Sequence, residues 1–176
     1  MFQFWPLALF AGSFGFMAPV ILDIEASGFG KGSYPIEIGV ALADRSVQSF
    51  LIRPYDDWTH WDLEAEKIHG ISRDQLLSEG EDPKKVAMTL NELLEGQVAY
   101  SDGWGFDSTW LSLMFYQAHT KQTFRLETLT RILNEQQLSR WDQTRKQVME
   151  EWKVERHRAS IDAKVLQETF IRCFQG

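Results

Sequence analysis

Four carboxylates and one imidazole stand in three short segments: Asp23 and Glu25 in VILDIE, Asp107 in GFDSTWL, and His157 and Asp162 in HRASIDA. Asp23 and Glu25 are two apart in a run that reads as a strand. Period-two alternation therefore puts both carboxylates on one face, with Ile24 on the other. Two acids on one face of an apolar strand repel each other and lose water, which cations can offset. Oxygen ligands of this hard type suit Mg²⁺ or Mn²⁺. His157 precedes the last helix, and histidine is the side chain that most often serves as a general base. Each segment also has an ordinary reading. The strand acids can be a solvated end, Asp107 can be a helix-start acid favoured by the macrodipole, and His157 can be a surface histidine. Asp102 competes with Asp107 for any acidic role.

The elements that must position these groups follow from pattern. VILDIE (20–25) reads as a buried central strand, and the glycine-rich ASGFGKGS (26–33) as a loop. PIEIGVALA (35–43) and SVQSFLIRP (46–54) form a hairpin signal around Asp44-Arg45. Residues 62–77 are helical, broken at His69-Gly70. KKVAMTLNELLEG after Pro83 is a second helical run closed at Gly96. QVAYS (97–101) and TFRLETL read as strands, 106–119 and 129–153 as helices, and about 159–174 as the final helix. Strands interleaved with helices predict an α/β sandwich on a mixed five-stranded sheet.

Composition bounds the rest. The chain has 176 residues, 44% hydrophobic and 24% charged, with a net charge of −7, which fits one domain with a core. The acidic balance argues against a broad basic surface for long duplex nucleic acid, but not against a short strand end. A single cysteine, Cys173, forms no internal disulfide and points to a reducing, cytoplasmic setting. Residues 1–22 carry no charged side chain. They lack the positive region of a secretory signal and are interrupted by Pro6, Gly12, Gly15 and Pro19, so no stable membrane association is expected. Met17 is read as the start of the domain (17–176), with 1–16 an apolar extension that need not belong to it.

Taken together, the three segments resemble the DEDDh family of 3′-to-5′ exonucleases in the ribonuclease H-like superfamily, the group of proofreading domains, ribonuclease T and oligoribonuclease. The D-x-E motif is matched by Asp23 and Glu25 with Ala26-Ser27-Gly28 after it. An F-D pair opening a helix is matched by Phe106 and Asp107. The pattern H-x-A-x-x-D-A is matched by His157, Ala159, Asp162 and Ala163. IHGIS (68–72) is similar to a family turn. One departure is Ser101-Asp102-Gly103-Trp104-Gly105, where the family often has His-Asn before F-D.

The resemblance implies a ribonuclease H-like three-layer sandwich. It implies a two-metal reaction that releases nucleoside 5′-monophosphates from the 3′ end of single-stranded DNA or RNA. Two divalent cations, Mg²⁺ or Mn²⁺, would sit on Asp23, Glu25, Asp107 and Asp162, with His157 as base. Substrate grip would come from the backbone of the 26–29 loop (Ala26, Ser27, Gly28, Phe29) and from aromatic stacking, with Phe29 the first stacking candidate and Trp104 the second. Arg158 reads as solvated rather than as a phosphate contact, and Glu37 as structural. A non-catalytic module that binds nucleic-acid ends on the same fold is the alternative. The polar stretch 134–153 leaves a homodimer open.

Overall fold

The computed structural model describes residues 17–175. The apolar extension over 1–16 lies outside the described residues. Strand β1 is Val20–Ala26, β2 Pro35–Ala41, β3 Val47–Leu51, β4 Val98–Ser101 and β5 Arg125–Thr128. They form one mixed sheet in the order β3-β2-β1-β4-β5. β1 pairs antiparallel with β2 and parallel with β4, and β4 pairs parallel with β5. The hairpin turn falls at the expected place, with Arg45 in the left-handed region (φ 71°) and Asp44 accepting from the Ser46 amide at 2.9 Å.

Six helices surround the sheet: α1 Leu63–His69, α2 Arg73–Glu79, α3 Pro83–Leu94, α4 Trp104–Gln117, α5 Glu135–Glu151 and α6 Ala159–Gln175. The expected break at His69-Gly70 is a left-handed cap at Gly70 between α1 and α2. Pro83 occupies the first turn of α3, capped by Asp82. Two boundaries differ from the sequence pattern. Helix α4 starts at Trp104 rather than 106, so Asp107 lies inside its first turn. The stretch 129–153 is not one helix. A short 3₁₀ turn (Leu129–Ile132) ends it early, and α5 restarts at Asn134, whose side chain forms a capping box with Gln137.

Alternation along β1 sorts its side chains onto two layers. Val20, Leu22 and Ile24 join the core beneath α3 and α4, with Leu90, Leu111 and Met114. Ile21 points to the other layer, with Ala163, Leu166 and Phe170 of α6. Asp23 and Glu25 share the parity of Ile21, so they face α6. Strand β2 is buried along its whole length, as a strand covered on both faces must be. No helix among the described residues is long and apolar enough to cross a membrane.

Candidate active site

β1 and β4 run parallel, and both end at the same edge of the sheet. The chain leaves β1 toward β2 on one side and returns to β4 on the other. That reversal opens a crevice beyond the carboxyl ends of the strands, where α/β proteins commonly bind ligands. The five chemistry-bearing residues converge there from three elements. Asp23 and Glu25 come from β1, Asp107 from the first turn of α4, and Asp162 from the first turn of α6 with His157 on the loop before it.

The approach of α6 depends on Gly39. The sheet register sets Asp23 opposite Gly39 and Glu25 opposite Glu37. A Cβ at Gly39 would lie 2.1 Å from the carbonyl carbon of Ala159. The start of α6 therefore rests directly on β2 beside Asp23, which brings Asp162 into the cluster. Glu37, fully buried, fixes the same helix start. It accepts from Arg158 at 2.9 and 2.6 Å, from the Ala159 amide at 3.0 Å and from Ser49 at 2.9 Å. Arg158 is thus not a solvated cation. A buried carboxylate at the foot of its own loop outcompetes water for its guanidinium. The structural role expected of Glu37 agrees with these bonds.

Ligand atoms of Glu25, His157 and Asp162 lie within 4.8 Å of one another. Nδ1 of His157 is 3.1 Å from Oδ2 of Asp162. With Asp162 ionised its carboxylate accepts, which makes Nδ1 the donor and leaves Nε2 as the basic nitrogen. The other oxygen of Asp162, Oδ1, is buried with no hydrogen-bond partner. Asp107 is buried and accepts a short hydrogen bond from Ser101.

Electrostatics show what this crowding costs. Asp23 is only half-buried by surface, yet loss of water around its carboxyl, followed by the charges of Asp107, Asp162 and Glu25, lifts its pKa well above the usual range. Burial, then the Asp162 charge, pushes Glu25 up to about 7 against the opposing pull of His157. Burial also pushes Asp107 to about 7, despite the bond from Ser101. Asp162 is raised by burial, with His157 opposing. Four carboxyls that resist ionisation together, plus an orphaned buried oxygen, fit the oxygen donor set that a hard divalent cation would complete.

Beside the acids lies a cleft of about 260 Å³. Ala26, Gly28 and Phe29 line it, but Ser27 does not. Its hydroxyl is paired with His60 Nδ1 (3.0 Å) and accepts from the Tyr34 amide (3.1 Å), so it holds the loop from within. Trp104 is absent from the lining too. Its indole donates to the Leu126 carbonyl at 2.8 Å, which ties α4 to β5. Two aromatics stand beside Phe29 instead. The Phe106 ring meets Phe29 edge-on at 5.1 Å and stacks on Trp110 at 5.7 Å. Phe29 and Phe106 are exposed, while Trp110 is buried and donates to Ser33 at 3.0 Å. The four-residue spacing of Phe106 and Trp110 was a usable signal, since it sets both on one helix face. Ala65 and Ile68 of α1 also line the cleft; Ile68 opens the IHGIS turn, whereas Ala65 and Ser101 carry no signal in the sequence.

The exonuclease family model RNase T matches residues 20–170. No curated protein matches the chain in sequence. Among solved structures it is similar to Escherichia coli exonuclease I in complex with a dA16 oligonucleotide, at 15% identity and a TM-score of 0.63. That match covers 90% of this chain and 42% of the other. The zinc-bound complex of the same enzyme with single-stranded DNA gives 13% identity and a TM-score of 0.61, over 90% of this chain and 41% of that one. A Mopeia virus exonuclease domain partially complexed with manganese gives 16% identity and a TM-score of 0.55, over 90% and 79%. This chain thus spans less than half the length of exonuclease I. At these identities the likeness is one of fold: the α/β, ribonuclease H-like architecture.

Proposed function

The chain belongs to the RNase T exonuclease family, and from that premise we propose that it is a divalent-cation-dependent 3′-to-5′ exonuclease. It would remove nucleoside 5′-monophosphates from the 3′ end of single-stranded DNA or RNA. One observation carries the reading. Four carboxyls and an imidazole converge at the β1/β4 crevice, and each carboxyl is held above its ordinary pKa by burial first and by neighbouring negative charge second.

Asp23, Glu25, Asp107 and Asp162 would hold two cations, which when bound make a water more acidic and offset charge building on the phosphate. His157, oriented by Asp162, takes the proton of the attacking water on Nε2. The water oxygen bonds to phosphorus and the P–O3′ bond to the penultimate nucleotide breaks. The departing 3′ oxygen takes up a proton, leaving a strand one nucleotide shorter with a free 3′ hydroxyl. Phe29 and Phe106 offer exposed ring faces to the terminal base. Gly28, at φ 128°, lets the loop pack against Asp62, whose Cβ would lie 2.5 Å from a Cβ at this position.

The test is a 5′-labelled single-stranded oligonucleotide, as DNA and as RNA, with Mg²⁺ or Mn²⁺. Stepwise shortening from the 3′ end is expected, abolished in Asp23→Ala while circular dichroism stays that of the folded protein. Binding without cleavage would favour an end-binding module. Neither binding nor cleavage, or near-full activity of Asp23→Ala, would sink the reading.

A further inference from the structure

Glu25, His157 and Asp107 line one cleft, and Asp107 is bonded to Ser101 at the end of β4. The next residue, Asp102, holds a cation from a different layer: Arg145 of α5 donates from Nη1 to Asp102 Oδ2 at 2.9 Å. Both side chains are about one-third exposed, 31% for Arg145 and 33% for Asp102. That single hydrogen bond uses one of five guanidinium donors. Arg145 also lines an open groove of about 460 Å³ along α5 with Asp142, Lys146 and Met149, so space exists beside it.

In-line displacement brings the attacking water in from His157 and breaks the bond to the rest of the strand on the far side of the phosphorus, so the upstream nucleotides leave away from His157. We propose that Arg145, steadied by Asp102, receives the phosphodiester immediately upstream of the scissile bond. The proposal rests on the exonuclease reading above. A planar guanidinium suits a phosphate, which can accept two of its donors at once. The contact is electrostatic and sequence-independent, as progressive removal of any nucleotide requires. A pair that merely tied α5 to the β4–α4 corner would leave strand binding unaltered.

The experiment compares wild type, Arg145→Ala and Arg145→Lys, each checked by thermal unfolding. Two substrates are used: a twelve-nucleotide single strand and the p-nitrophenyl ester of thymidine 5′-monophosphate, which has no upstream phosphate. Arg145→Ala is expected to lower the ratio of kcat/KM for the strand to that for the ester about tenfold. Binding of a fluorescent twelve-mer in Ca²⁺ should weaken by a similar factor. Its log–log salt slope should fall by about 0.7, the share of one phosphate contact on a single strand. Arg145→Lys should recover at least half of the loss on a logarithmic scale. An unchanged ratio with unchanged Ca²⁺ binding overturns the assignment. If wild type cleaves neither substrate, the exonuclease reading fails by itself. The Ca²⁺ binding arm then still decides whether Arg145 holds a strand.

Discussion

Phe29 projects into solvent with most of its surface open, resting edge-on against Phe106. An exposed ring at the rim of an acidic cluster loses nothing when a base covers it. Stacking of this kind is worth about 1–3 kcal/mol per base. Phe29→Ala should therefore raise KM for an oligonucleotide roughly fivefold or more, with a smaller change in kcat, read from initial rates. A fall in kcat alone would show that the ring acts elsewhere. Among single residues, the sequence is legible where a group is charged. Acids spaced two apart on a strand, or five residues from a histidine, have few ways to be placed. Aromatics are another matter. With 7 Trp and 12 Phe, residue type alone does not separate Trp104, spent on the Leu126 carbonyl, from Phe106, which faces the cleft; only the helical spacing of Phe106 and Trp110 does. The pairing of Arg158 is hidden for a related reason: its partner, Glu37, is 121 residues away.

Helix α6 is the element on which the cluster depends, and two contacts seat it. Gly39→Ala puts a methyl 2.1 Å from backbone that cannot rotate away, so the helix start must lift. A cost of about 1–3 kcal/mol in chemical denaturation is expected from such overpacking. Mg²⁺ affinity by calorimetry should drop as Asp162 moves off Asp23. A variant with wild-type stability and affinity would show that α6 is not seated on β2 as described. Glu37→Gln should leave the sheet intact yet loosen residues 155–160, seen as faster amide exchange there, because a neutral amide cannot bind Arg158 with the same strength. The strand pattern, the hairpin and the helix order could all be read from periodicity. The split between the 3₁₀ turn and α5 could not, because a polar run from 129 to 153 hides a capping box at Asn134 inside otherwise helical composition.

Across the molecule, the cluster sets a balance between protons and cations. Glu25 and Asp107 have folded pKa values of about 7, above their ordinary values of 4.5 and 3.8. Between roughly pH 4 and 7 the folded state thus binds more protons than the unfolded chain. Stability of the metal-free protein is therefore full below the unfolded pKa values and is lost as pH rises through 7. The melting temperature in EDTA should be higher at pH 5 than at pH 8. Each kcal/mol corresponds to about 2–4 °C for a chain of this size. Mg²⁺ or Mn²⁺ should raise the pH 8 value and shrink the gap. A metal-free protein that is more stable at pH 8 than at pH 5 would contradict the crowding of the four carboxyls. The order in which the chain is made adds a further consequence of the way α6 closes the crevice. A nascent polypeptide that has emerged through Glu151 already carries Asp23, Glu25 and Asp107 but lacks both His157 and Asp162. Its β1 face and the bed at Gly39 are still uncovered. On the proposed reading, the cluster is completed in one step, when the last described helix docks.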